Sequence, residues 1–188
     1  MRKTTTRDLI FMAICVALSL VTKRLISPLT NGLTDFFRIP GGSLATGFSL
    51  LFLIIGKRIV SIPFAGTLMS IVQAMLALAL GFSGAQGAMA VFSYVAPGLL
   101  IDGLAMTLKT RHPLYCFVTG ILACVASAFV SNLLAFHLTG ISLVLWLLLA
   151  ALSGAMGGFI AHLISPRLAK AIPGIASKPA DAASGKGE

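Results

Sequence analysis

Apolar residues run along this chain in six long blocks, at about residues 9–26, 41–55, 59–80, 88–108, 114–137 and 141–163, with polar residues gathered between them. A bilayer core takes about 20 apolar residues per helical crossing, so the blocks have the lengths of transmembrane helices. Arg2, Lys3 and Arg7 precede the first block, Lys57 and Arg58 lie between the second and third, and Lys109 and Arg111 lie between the fourth and fifth. Arg167, Lys170, Lys178 and Lys186 follow the sixth. The turns at 81–87 and 138–140 hold no lysine or arginine. Six crossings place all four basic clusters on one side, which the positive-inside rule makes the cytoplasm.

The pattern therefore predicts an all-α integral membrane protein of the plasma membrane. Residues 1–170 form one bundle of six transmembrane helices, with the N-terminus and the C-terminus cytoplasmic. Residues 171–188, mostly Pro, Ala, Gly, Ser and Lys, predict a disordered tail. The first outer loop departs from the charge rule, since Lys23, Arg24 and Arg38 fall on its side. A loop that breaks the rule has a reason to do so.

Composition agrees. Hydrophobic residues make up 57% and charged residues 10% of the 188, against roughly a half and a quarter in soluble domains. The net charge of +9 sits mainly in the flanks that topology requires, with no basic face elsewhere, so nucleic-acid binding is not expected. The first block is followed by Lys23 and Arg24, not by a small-residue cleavage site, so it is expected to remain as a helix. Cys15, Cys116 and Cys124 lie within spans and lack C-x-x-C spacing, which implies no disulfide, metal or cofactor. No phosphate-binding loop motif is present, and six short-looped spans leave no room for an ATPase domain.

Helices in lipid associate through small residues, and two stretches stand out. The first span carries Ala13 and Ala17, one turn apart; the sixth carries Gly154, Gly157 and Gly158 among several alanines. Each stretch suits either packing inside the bundle or docking on another membrane protein. Ionisable groups at membrane depth are the second signal. Asp102 in the fourth span pairs with a neighbouring helix or a lysine, or else serves as the proton site of a small ion-coupled transporter. The third signal is a polar set at the outer ends of the helices: Gln86 and Tyr94, Asn132 and His137, Trp146, the deeper Gln73, and Asp35, Phe36 and Arg38 in the first loop. Rings for stacking and a few hydrogen-bonding groups suit a small, flat, polar ligand. Gly81-Phe-Ser83-Gly84 and His162 imitate the serine and histidine of rhomboid proteases. The topology places them at opposite ends of their spans, on the order of 20–30 Å apart, so no enzyme is predicted.

Six spans in under 200 residues, both ends inside, no ATPase and Ala13-x-x-x-Ala17 resemble the substrate-binding (S) component of an energy-coupling factor (ECF) vitamin transporter, over about residues 8–166. Residues 80–89 and 98–102 resemble the YkoE-like subgroup for thiamine or hydroxymethylpyrimidine, and Pro40-Gly-Gly-Ser43 resembles thiamine-specific components. The resemblance implies a high-affinity vitamin-capturing subunit of an ATP-driven importer. Ala13 and Ala17 would dock it on a transmembrane scaffold subunit served by two cytoplasmic ATPase subunits. It also implies that the first loop and the outer helix ends enclose the vitamin, with Asp35 as counter-charge to a thiazolium, or Gln86, Asn132 and His137 bonding to a neutral pyrimidine.

Overall fold

The computed structural model describes residues 5–34, 42–60, 62–82, 84–107, 113–137 and 139–171. Its elements are α1 (Thr6–Thr34), α2 (Gly42–Ile59), α3 (Ala65–Ala79), a short 3-10 segment (Gly84–Met89), α4 (Ala90–Thr107), α5 (Pro113–Ser131) continued by a π turn (Asn132–Phe136), and α6 (Ile141–Ala171). No strand occurs among the described residues. Six apolar helices thus stand where six blocks predict them. Four segments, Thr6–Thr30, Gly87–Thr107, Leu114–Phe136 and Ile141–Ala169, have the length and hydropathy of a membrane crossing. The 15-residue α3 is apolar but shorter, about 22 Å at a rise of about 1.5 Å per residue.

Two boundaries differ from the expected ones, and both differences matter. α1 continues to Thr34 with Pro28 inside it, so Lys23 and Arg24 stand on a helix and not in a loop. The third block does not start at 59: α2 runs to Ile59, and α3 begins at Ala65 after a turn containing Pro63. Proline disfavours helix in the residue before it, which ends the run. Lys57 and Arg58 consequently occupy the last turn of α2, where the helix dipole favours cations.

The helices form a closed ring. α1 packs on α2, α2 on α6, α6 on α5, α5 on α4, α4 on α3, and α3 returns to α1, while α2 also leans inward to reach α5 and α3. Contacts at one end join the last turn of α2 to the start of α3, the C-terminal part of α4, the start of α5 and the C-terminal part of α6. The N-terminal half of α1 lies beside the C-terminal half of α6, where Phe11, Ile14 and Leu18 share an apolar groove of about 550 Å³ with Ile160, Ile164 and Leu168. The direction of successive helices alternates.

The packing is that of a protein solvated by lipid. Ile10, Ile14, Leu18, Val21 and Leu25 of α1 face outward, while Ser19, Ser49, Ser70, Gln73, Thr119 and Ser153 are buried. Buried polar groups bond between helices: the Ser19 hydroxyl donates to the Ser49 carbonyl at 2.9 Å, and the Tyr115 hydroxyl to the Ile101 carbonyl at 3.2 Å. Pro97 inside α4 cannot donate to the Ser93 carbonyl four residues back. The Ser127 hydroxyl of α5 donates to that carbonyl instead, at 2.9 Å, and the helix continues through the proline.

The glycines of the sixth block turn inward. A Cβ on Gly154 would overlap the Gly120 carbonyl of α5, and one on Gly157 would overlap the Gly47 carbonyl of α2. That stretch is spent on internal close packing. Ala13 and Ala17, by contrast, are exposed on the outer face of α1.

Candidate functional site

The intramembrane acid lies at one end of the bundle, in a tight set of partners. α3 starts after Phe64, whose side chain cannot cap a helix and whose φ of 59° is left-handed. The unpaired N–H groups of the first turn need an acceptor from elsewhere. Asp102, reaching across from α4, supplies both oxygens. Gly66 N–H donates to Oδ1 at 3.1 Å; Thr67 N–H and its hydroxyl donate to Oδ2 at 2.6 and 2.7 Å. Lys57 Nζ lies 2.7 Å from Oδ1 and also donates to the Ile62 carbonyl at 3.1 Å. Asp102 is therefore a borrowed helix cap paired with a lysine, and it ties α2, α3 and α4 together. Beside it, Arg58 donates to Cys116 Sγ at 3.2 Å and contacts His162 Nδ1 at 3.3 Å. The histidine of the rhomboid-like pattern is engaged there.

The opposite half of the bundle holds the second site. Tyr94 precedes Asp102 by eight residues on α4, about 12 Å along the axis. There α1, α4 and the turn after α3 border an open cavity of about 60 Å³ lined by Leu20, Lys23, Arg24, Ser27, Phe82 and Tyr94. Lys23 Nζ sits 4.1 Å from the centroid of the Tyr94 ring, and the Arg24 guanidinium carbon 4.9 Å from that of Phe82. Each cation rests on an aromatic face, which attracts the charge without neutralising it. Among the described residues no carboxylate forms an ion pair with either cation.

The predicted ligand residues do not all meet at this cavity. Tyr94 lines it. Asn132 is buried at the head of the π turn, where its carbonyl accepts the His137 N–H at 2.9 Å. His137 ends that turn exposed, with a left-handed φ of 47°. Trp146 is 2% exposed and meets Phe136 edge to face at 5.2 Å, and its indole N–H has no partner among the described residues. Gln73 is buried within α3. Asp35, Phe36 and Arg38 lie outside the described residues, as does the side chain of Gln86. Leu20, Lys23, Arg24, Ser27 and Phe82 were not among the predicted ligand residues. The break in the charge rule at Lys23 and Arg24 was the signal for them, and it was visible in the chain.

No protein-family model matches the chain, and no curated protein matches it either. Among solved structures, one described as the crystal structure of an S-component of ECF transporter shares the fold with a TM-score of 0.72. The alignment covers 90% of this chain and 87% of that one at 18% sequence identity. At that identity, what the two chains share is the arrangement of helices.

Proposed function

We propose that this chain is the substrate-capturing subunit of an ATP-driven importer of the energy-coupling factor type. In this reading it binds a vitamin or vitamin precursor in the Lys23 half of the bundle. It docks through Ala13 and Ala17 on a transmembrane scaffold subunit that works with two cytoplasmic ATPases, in the plasma membrane. The observation that carries the reading is the fold shared with an S-component over 90% of this chain. The outward placement of Ala13 and Ala17 supports the docking face, since the other small-residue stretch is consumed inside.

The rings of Tyr94, Phe82, Phe136 and Trp146 and the buried amides of Gln73 and Asn132 support a flat, hydrogen-bonding ligand. Of the two ligands the sequence suggests, the thiazolium is the less supported. A thiazolium cation entering the cavity would meet two like charges, Lys23 and Arg24. The competing reading, an ion-coupled carrier centred on Asp102, has lost its free acid, because both oxygens of Asp102 hold α3 and Lys57.

The test is accumulation of a vitamin mixture, read by mass spectrometry, in cells that co-express this chain with a scaffold subunit and two ATPases. One compound should accumulate, and inactivating the ATPases should abolish its uptake. Accumulation that persists without the ATPases and follows the proton gradient would overturn the proposal.

A further inference from the structure

We infer that the ligand taken by the Lys23 cavity carries an anionic group, a carboxylate or a phosphate, on its flat body. This rests on the reading of the chain as a ligand-capturing subunit and adds the charge of what it captures.

Three observations lead there. Lys23 and Arg24 are consecutive on α1, the first half-buried and the second exposed, at a position where the expected topology disfavours cations. A cation beside lipid persists where its head group reaches water or has something to bind. Both charges point the same way, from α1 across to Tyr94 at the start of α4 and Phe82 beyond the end of α3, and both line one cavity. Neither side chain is turned back toward a carboxylate among the described residues.

The contrast with the other end of the molecule sharpens the point. Lys57, in the last turn of α2, is neutralised at 2.7 Å by Asp102 and is 8% exposed. At that end the buried cation meets a carboxylate, while the half-buried Arg58 rests on Cys116 and His162. At the Lys23 end two cations rest on ring faces and have no carboxylate partner among the described residues. Two unit charges of one sign lining one cavity attract an anion and repel a cation by the same interaction. Arg24 offers a planar fork that matches a carboxylate or phosphate, Lys23 a point charge, and Ser27 a hydroxyl. At about 60 Å³ the cavity has the size of such a group. The rest of the ligand would extend toward the helix ends.

Three probes of one shape and different charge test this: benzoate, benzamide and benzamidinium. The purified chain is placed in nanodiscs of phosphatidylcholine and its melting temperature is read with each probe at millimolar concentration. Benzoate should raise the melting temperature by a few degrees when present well above its Kd. Benzamide should raise it less, and benzamidinium not at all. In the double variant Lys23→Gln, Arg24→Gln, which keeps two polar side chains of similar length, the benzoate shift should vanish. Benzamidinium stabilising the protein as well as benzoate would overturn the inference, and so would an absent benzoate shift or one that survives in the double variant.

A second set of nanodiscs containing phosphatidylglycerol separates the two sources of an anion. A benzoate shift retained there assigns the site to a soluble ligand. A shift lost there, with a Lys23- and Arg24-dependent gain in melting temperature from the lipid itself, assigns it to an anionic headgroup. Neither arm needs the scaffold or the ATPases, so failure of the importer reading leaves this measurement standing, and failure here leaves the uptake result standing.

Discussion

At the scale of single residues, Asp102 and Lys57 decide how the lower half of the bundle is held. The carboxylate accepts from Gly66, Thr67 and Lys57 and is 2% exposed. Removing it leaves a buried ammonium and two helix-start N–H groups without their acceptor. Breaking a buried pair of this kind costs about 3–5 kcal/mol. Asp102→Ala should lower the melting temperature by roughly 10 °C in detergent. Asp102→Asn keeps an acceptor for Thr67 and should cost less. Ligand retention by the Asp102→Asn protein should be the same at pH 6 and pH 8 as in the wild type. An unchanged melting temperature combined with altered pH dependence of transport would instead restore Asp102 as a proton site.

At the scale of the element, α1 and α6 use small residues for opposite purposes. Gly154 meets the Gly120 backbone, so even a methyl there must push α5 and α6 apart. Gly154→Ala should cost about 1–3 kcal/mol of stability and impair everything that depends on the fold. Ala13 and Ala17 have nothing of the bundle above them. The pair of changes Ala13→Trp and Ala17→Trp should leave the melting temperature and ligand retention of the isolated chain unaltered. It should abolish co-purification with the scaffold subunit. Co-purification of that variant at wild-type yield would remove α1 from the docking surface. The same contrast explains why sequence inspection left both stretches open: small residues one turn apart look alike whether they face a neighbour or the lipid, and only the rotation of the helix separates them.

At the scale of the whole molecule, helix direction alternates around a ring, and the two ends differ in kind. One end pairs Lys57 with Asp102 and holds Arg58 against His162. The other carries the cation-lined cavity. If the Lys23 end faces outward, His137 and Thr107 lie on opposite sides of the membrane. The three native cysteines are buried and should react little with a membrane-impermeant maleimide. In intact cells that reagent should label His137→Cys and leave Thr107→Cys unlabelled until lysis. The reverse pattern would invert the topology and place the cavity inside.

What the chain determined by itself was the class of protein: six apolar blocks, alternating basic flanks and a buried acid specify a helical membrane bundle, because the cost of exposing polar groups to lipid is paid locally, residue by residue. The same local logic marked Lys23 and Arg24 as out of place. What only the tertiary structure decided was partnership. That Asp102 caps α3, that Ser127 of α5 serves the carbonyl freed by Pro97, that Gly154 faces α5 and that Lys23 lies over Tyr94 all depend on how helices far apart in sequence are rotated against one another. That rotation is set by summed packing around the ring, and no single stretch of the sequence carries it.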